Sequence, residues 1–219
     1  MSALKDNPRI AQVARYAEEH IYASAKRAND QHPHAGPKYR WQHTLRVTQY
    51  GIQIAEAEGA DVELVAAACL LHDSEWFSEM RNREIDHGHV AAREIRPFLE
   101  QIGYSAEAVD NICYSVGVHS AGKVWFEHEH TLEAKVVSDA DNVDRFGALR
   151  TIFWCVDELG DFDALVAKLN KRIKRLEEYR ERQIMETGAG NRLFDQQLNR
   201  QIEFFRRLIA EHALTRLPD

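Results

Sequence analysis

Imidazole and carboxylate side chains stand at the ends of several predicted helices whose other positions are apolar. The residues of this kind are His43, His72, Asp73, His87, His119 and Asp141. Their nitrogen and oxygen atoms are ligands that divalent cations of borderline or hard character accept. One histidine on an apolar face is usually a core or capping residue, so the prediction of a metal site depends on the order of all these residues along the chain.

The pair His72–Asp73 is the most informative part of this pattern. It follows a segment, Val62 to Leu71, that is apolar almost all round, as expected of a helix at the centre of a domain. Burying an ionisable pair there costs several kcal/mol unless a metal ion or an opposite charge compensates. The sequence therefore indicates a buried polar site at the end of this helix.

Helical periodicity runs through nearly the whole chain, and no stretch alternates cleanly at period two. Residues 30–40, which contain two prolines and a glycine, are predicted to form a loop. Apolar spacing and capping residues predict helices over 8–29, 41–58, 62–71 and 86–102, one after Ser105, one after Thr131 with a bend near Gly147, and two charged helices within 161–217. On the second helix the predicted buried stripe is Trp41, Leu45, Thr48, Ile52 and Ala55.

Composition narrows the class of protein. The 219 residues, with 44% hydrophobic side chains, suit one domain over residues 1–219. No run of about 18 apolar residues predicts a membrane span, and the N-terminal segment lacks the apolar stretch of a secretory signal, so we expect a cytoplasmic protein. The net charge of −7 argues against duplex nucleic acid as a partner. The widely spaced cysteines are expected to be buried small hydrophobes.

Five segments of the chain resemble the HD superfamily of metal-dependent phosphohydrolases. They are WQHTLRV around His43, AAACLLHD up to Asp73, DHGHVAA around His87, VGVHSAGK around His119 and VVSDADNVDRFGA around Asp141. The resemblance covers about residues 40–155, and the tail is similar, more loosely, to an uncharacterised bacterial single-domain branch. It implies an all-α HD-domain helical bundle with the metal site at its centre and two additional C-terminal helices.

The resemblance also implies a set of metal ligands. His43, His72, Asp73 and Asp141 would hold one divalent ion, and this set accepts Mn, Fe, Co, Ni, Zn or Mg. The roles of His87 and His119 stay open between binding a second ion and facing the substrate. Asp144, one helical turn after Asp141, would either orient neighbouring groups of the site or pair with an arginine on the helix surface.

The implied activity is hydrolysis of a nucleotide or another small phosphoester through a metal-activated water. Asp73 and Glu75 are the candidate catalytic residues, with Glu75 as general acid; the alternative for Glu75 is an exposed loop acid. Arg46 and Lys123 are candidates for binding the substrate phosphate, and Arg46 could equally form a structural salt bridge.

Two other functions stay open at this point. An HD-type di-iron oxygenase would need both His87 and His119 as ligands, and a non-catalytic HD protein would bind a ligand without turnover. The expected partner is a phosphorylated small molecule. The two C-terminal helices either pack on the core or pair with a second subunit, and we favour a homodimer.

Overall fold

The computed structural model shows an all-α protein, as predicted from the sequence. It describes residues 4, 6–27, 36–77, 87–120, 131–156 and 160–215, with only the backbone at 153 and 154. These residues form no β-strand, and none of their helices is both long and apolar enough to cross a membrane. The helices are α1 (Pro8–Arg27), α2 (Pro37–Glu58), α3 (Val62–Leu71), α4 (His87–Gln101), α5 (Ala106–Val118), α6 (Leu132–Arg145), α7 (Ala148–Val156), α8 (Phe162–Arg182) and α9 (Gly188–Ala213).

The chain divides into two compact units, Met1–Asp141 and Asn142–Asp219, with the boundary inside α6. In the first unit α3 packs against α1, α2 and α5, and α4 packs against α5. Every residue of α3 from Val65 to Leu71 is buried, which confirms the prediction of a central apolar helix. In the second unit α9 packs against α8 and α7. The single domain over residues 1–219 stays a prediction.

Helix caps lie where the sequence places them. Asp61 accepts hydrogen bonds from the backbone N–H groups of Glu63 and Leu64 at 2.9 and 3.1 Å, and so caps α3. Ser105 caps α5 in the same way, and Thr131 caps α6. Gly59 ends α2 with φ of 77°, a conformation that glycine adopts without strain. These caps fix where α3, α5 and α6 begin and where α2 ends.

The start of α2 differs from the prediction. The helix begins at Pro37, not near Trp41, so residues 37–40 are helical and not part of a loop. Proline at the first position of a helix costs no hydrogen bond, because its N–H would lack an intrahelical partner anyway. The extra turn carries Arg40 into the helix, one turn before His43.

The stripe predicted for α2 is confirmed in part. Thr48, Ile52 and Ala55 are buried as predicted, whereas Trp41 is half-buried and Leu45 is 41% exposed. A Cβ atom added at Gly51 would lie 2.6 Å from the Sγ atom of Cys69, so the glycine allows α2 and α3 to approach closely. The buried face also includes small and polar residues such as Gly51 and His43, which apolar spacing alone does not find.

The helices of the second unit follow the predicted order with shifted ends. The bend expected near Gly147 is a break between α6 and α7. Thr187 accepts a hydrogen bond from the N–H of Gly190 at 2.9 Å and caps α9, so the glycines after it belong to the first turn of that helix. The remaining part of the second unit is the predicted pair of long charged helices.

Candidate metal centre

The ends and faces of five helices bring the predicted metal-binding residues together. His43 lies on α2, His72 and Asp73 directly follow α3, and Asp141 lies on α6. His87 is the first residue of α4, and His119 directly follows α5. All six residues are buried, each with less than 7% of its surface exposed. Buried polar groups at this density need an opposite charge or a metal to offset their desolvation.

The first cluster surrounds the Nε2 atom of His43. That atom lies 3.3 Å from Nε2 of His72, 3.4 Å from Oδ2 of Asp73 and 3.2 Å from Oδ1 of Asp141. His72 Nε2 is also 3.2 Å from Asp73 Oδ2. His43, His72 and Asp73 therefore direct two imidazole nitrogens and one carboxylate oxygen toward a common region. Asp141 adjoins this region through its contact with His43.

The second cluster uses the other oxygen of Asp73. Oδ1 lies 3.0 Å from Nε2 of His87 and 4.0 Å from Nε2 of His119. The two imidazole nitrogens are 3.1 Å apart. Three ligand atoms from Asp73, His87 and His119 thus lie close enough to bind one ion, and so do three from His43, His72 and Asp73. Asp73 belongs to both groups.

Two of the histidines are oriented by the helices that they terminate. The Nδ1–H group of His72 donates to the carbonyl oxygen of Cys69 at 2.7 Å, and that of His119 donates to the carbonyl of Val116 at 2.7 Å. The last carbonyls of a helix lack intrahelical donors, so these bonds satisfy them. With Nδ1 protonated, a neutral imidazole keeps its lone pair on Nε2, which is the atom that faces the cluster.

The protonation states suit a cation. Burial, with help from the nearby His72 and His87, lowers the pKa of His119 to about 4, so this imidazole is neutral at pH 7. Burial raises the pKa of Asp73, but Arg40 and the adjacent His72 outweigh it and hold that pKa well below its usual range. His43 lowers the pKa of Asp141 against the same effect of burial. A neutral imidazole at His119 and ionised carboxylates at Asp73 and Asp141 fit a divalent ion.

Arg40 is a member of the site that sequence reasoning missed. Its Nη1 atom lies 2.5 Å from Oδ2 of Asp73, and its guanidinium carbon lies 3.6 Å from the ring centroid of Trp76. The rings of Trp76 and His87 in turn meet at a steep angle, with their centroids 4.6 Å apart. Arg40 lies one helical turn before His43, but the prediction of a loop over residues 30–40 concealed this spacing.

Glu75 is buried, so it is not the exposed loop acid that the sequence left as an alternative. Only 5% of its surface is exposed. Its Oε1 atom lies 3.1 Å from Nδ1 of His20 on α1, and the ring of His20 stacks on that of Tyr16 at 3.9 Å. His20 is a second residue that sequence reasoning missed, because nothing in its local spacing distinguishes it on a surface helix.

Two of the remaining predicted residues lie on the helices that carry His43 and Asp141. Arg46 is half-buried, with its guanidinium carbon 5.8 Å from the ring centroid of Tyr39. Asp144 is buried one turn after Asp141 on α6, in the second unit. Lys123 lies outside the described residues. The roles predicted for these three residues stay predictions.

Residues 40–145 match the family model of the HD domain, and they contain all six residues of the two clusters. The chain therefore contains an HD domain. The HD domain and the clustered His and Asp side chains support a metal-dependent hydrolase at the level of the superfamily. Neither the family match nor the cluster specifies the metal or the substrate.

Known relatives of this HD-domain protein share most of its length. The uncharacterized protein YpgQ of Bacillus subtilis (strain 168) is 25% identical over 178 residues, which cover 77% of this chain and 82% of YpgQ. The structure of YpgQ in complex with ADP is similar at a TM-score of 0.59 and 20% identity, over 92% of this chain and 96% of that one.

Two further solved structures show the same fold. A predicted HD superfamily hydrolase from an uncultured Thermotogales bacterium has a TM-score of 0.63 at 21% identity, over 93% of both chains. An HD-superfamily hydrolase from Bacillus thuringiensis has a TM-score of 0.65 at 18% identity, over 94% of this chain and 100% of that one.

Proposed function

We propose that this protein is a divalent-metal-dependent phosphohydrolase that acts on a nucleotide or another small phosphoester. The observation that carries the proposal is the contact of three side chains with Nε2 of His43. Atoms of His72, Asp73 and Asp141 lie 3.2 to 3.4 Å from that nitrogen. These residues come from three helices, and no local feature of the chain requires their ionisable groups to meet.

The four residues would hold the ion through two neutral imidazoles and two carboxylates. A divalent ion supplies Lewis-acid polarisation of a phosphoryl oxygen and makes water a nucleophile near neutral pH. The carbonyl groups of Cys69 and Val116 fix the rings of His72 and His119, so Nε2 of each stays directed at the site. Fixed ligands leave little reorganisation for the reaction to require.

Glu75 is the proposed general acid. Its carboxyl group is buried two residues after Asp73 and contacts His20 through Oε1. In this role it would give a proton to the leaving oxygen of the substrate, and the contact with His20 would hold its orientation. A nucleotide as substrate is supported by YpgQ, which was solved with ADP. The proposed cytoplasmic location and the homodimer rest on the sequence alone.

A di-iron oxygenase is the second candidate, and it rests on one observation. His87, His119 and Oδ1 of Asp73 form a second group of buried ligand atoms beside the first, as an enzyme with two irons would need. A hydrolase with two metal ions would use the same residues. Metal stoichiometry together with a mixed-valent iron signal in electron paramagnetic resonance would favour the oxygenase, and an absence of that signal in iron-loaded protein would count against it.

A metal-supplemented screen of nucleotides and phosphoesters tests the proposal. Native protein with Mn²⁺, Co²⁺ or Ni²⁺ should release phosphate or pyrophosphate from at least one compound, and Asp73→Ala should not. The matched control is Asp110→Ala, because the carboxylate of Asp110 is exposed on α5 and pairs with Arg96 at 2.7 Å. Activity that survives in Asp73→Ala would contradict the site. Tight binding without turnover would instead favour the non-catalytic HD protein.

A further inference from the structure

The guanidinium group of Arg40 adds a buried positive charge to the metal centre. Its side chain is 8% exposed and donates to Asp73 Oδ2, the same oxygen that lies near His43 and His72. The aromatic face of Trp76 covers the guanidinium plane at 3.6 Å. A cation held between a carboxylate and an aromatic ring keeps one orientation, which a long exposed arginine does not.

Arg40 also changes the balance of charge at the first cluster. The carboxylates of Asp73 and Asp141 are the acidic groups of this cluster, and one divalent ion would balance both. The guanidinium of Arg40, beside Oδ2 of Asp73, then adds a positive charge that these two carboxylates do not balance. The acid closest in sequence, Glu75, faces His20 at 3.1 Å. An added positive charge of this kind favours an anionic ligand over a neutral one.

Arg40 also carries a second buried donor, its Nε–H group. Its Nε atom is buried and has no hydrogen-bond partner among the residues that the structure describes. Buried donors of proteins nearly always have partners, so this one calls for an explanation. A guanidinium presents five N–H donors in one plane, a geometry that matches two oxygens of a phosphate group.

We propose that Arg40 binds the anionic group of the substrate at the metal centre and thereby selects phosphorylated compounds. This inference rests on the proposed function for the presence of a metal, and it assigns to Arg40 the phosphate contact that the sequence assigned to Arg46 and Lys123. Asp73 anchors one edge of the guanidinium, Trp76 holds its plane, and the remaining donors meet the oxygens of the ligand.

Calorimetric titrations of Mn²⁺ and of inorganic phosphate test this assignment without any turnover. Wild type and Arg40→Gln are titrated first with Mn²⁺, and the Mn²⁺-loaded proteins are then titrated with phosphate. We expect Arg40→Gln to bind Mn²⁺ at least as tightly as wild type, because a competing cation beside Asp73 is gone. We expect its phosphate affinity to fall by at least about tenfold, the loss of one charge-assisted contact. The control is Lys38→Gln, which removes an exposed charge from the same helix.

Two results for Arg40→Gln would overturn the proposal. One is a phosphate affinity within twofold of wild type. The other is an equal loss of Mn²⁺ and phosphate affinity, which would mean that Arg40 only supports Asp73.

If Arg40→Gln lacks the helical circular dichroism of wild type, Arg40→Lys takes its place. It should keep Mn²⁺ binding and lose phosphate affinity by about threefold or more, because an ammonium lacks the planar fork, and unchanged affinity would overturn the proposal. If phosphate binds through Arg40 but no phosphoester is hydrolysed, only the proposed function fails.

Discussion

Asp73 is the residue on which both ligand clusters depend. Its Oδ2 atom faces His43 and His72, and its Oδ1 atom lies 3.0 Å from His87. Asp141 adjoins the first cluster, where its Oδ1 atom lies 3.2 Å from Nε2 of His43. Among the described residues, Asp73 thus belongs to both groups of three ligand residues, whereas Asp141 lies beside the first.

This difference predicts unequal effects of the two isosteric substitutions. Asp73→Asn should lower Mn²⁺ affinity by more than about 100-fold, since loss of a direct ligand exceeds the 10- to 100-fold effect of groups that only orient ligands. Asp141→Asn should weaken the first site and leave binding at His87 and His119. Calorimetry and elemental analysis of both variants give affinity and stoichiometry. If both variants bound the same number of Mn²⁺ ions per chain, the proposal of two metal sites that share Asp73 would be wrong.

Sequence reasoning selected residues of the types that bind metal ions and did not select Arg40 and His20, which contact them or Glu75 in space. The order of His43, His72, Asp73 and Asp141 predicts a common site, and the structure brings them together. Arg40 and His20 have no such signature, because arginine and histidine on a helix are ordinary surface residues. Their contacts with Asp73 and Glu75 depend on how helices pair in space, which local spacing does not encode.

At the scale of helices, the close approach of α2 and α3 positions His43 against His72. Gly51 lies opposite Cys69, and a Cβ atom at Gly51 would be 2.6 Å from Sγ of Cys69 and 3.1 Å from a methyl carbon of Val65. Burial also raises the pKa of the Cys69 thiol, in keeping with a role in packing. The prediction that Leu45 is buried is wrong, since this residue is 41% exposed. The close contact of α2 with α3 uses a glycine and a cysteine, not only a stripe of large apolar residues.

Gly51→Ala should therefore lower the free energy of unfolding by about 1–3 kcal/mol, the usual cost of overpacking a dense core. The steric conflict is with one sulfur atom, so Cys69→Ala should relieve part of it. In a double-mutant cycle by urea denaturation, we expect the double variant to be more stable than the sum of the single effects by about 0.5 kcal/mol or more. Strict additivity would show that the two residues do not share this contact.

At the scale of the whole molecule, a metal ion would join helices that are distant in sequence. Residues 43, 72, 73 and 141 belong to segments whose ends lie almost a hundred positions apart along the chain. An ion that binds only the folded state at 100 times its Kd adds about 2.7 kcal/mol to stability. For a chain of this size that corresponds to about 5–10 °C in the midpoint of thermal unfolding.

Removal of metal should thus lower the unfolding temperature by that amount. Differential scanning calorimetry of wild type with excess Mn²⁺ and with EDTA measures the shift, and Asp73→Asn under the same two conditions is the control. We expect the variant to unfold at nearly the same temperature in both. A shift of equal size in Asp73→Asn would mean that Mn²⁺ stabilises the protein from another place.

A second link between distant helices depends on pH and not on a metal. Glu133, in the first turn of α6, accepts a hydrogen bond from the N–H of Asp61 at 3.0 Å and one from the side-chain amide of Asn111 at 2.9 Å. It thereby joins α6 to the start of α3 and to α5. Burial raises the pKa of Glu133, but the bonds from Asn111 and Asp61 outweigh it, so the pKa lies below its ordinary value.

A lowered pKa in the folded state means that the charged form stabilises the fold. That stabilisation is complete above the unfolded-state pKa of about 4.3 and is lost as the pH falls through the lower folded-state value. Glu133→Gln should reduce the free energy of unfolding at pH 7 by about 1–3 kcal/mol, because a neutral amide cannot accept both bonds. Urea denaturation with EDTA present, from pH 7 to 3.5, should show the difference in unfolding free energy from wild type shrinking below about pH 4.3.

The control is Glu107→Gln, at an exposed position of α5, whose unfolding free energy should differ from that of wild type by less than about 0.5 kcal/mol. A constant difference for Glu133→Gln down to pH 3.5 would show that its charge does not hold these helices together.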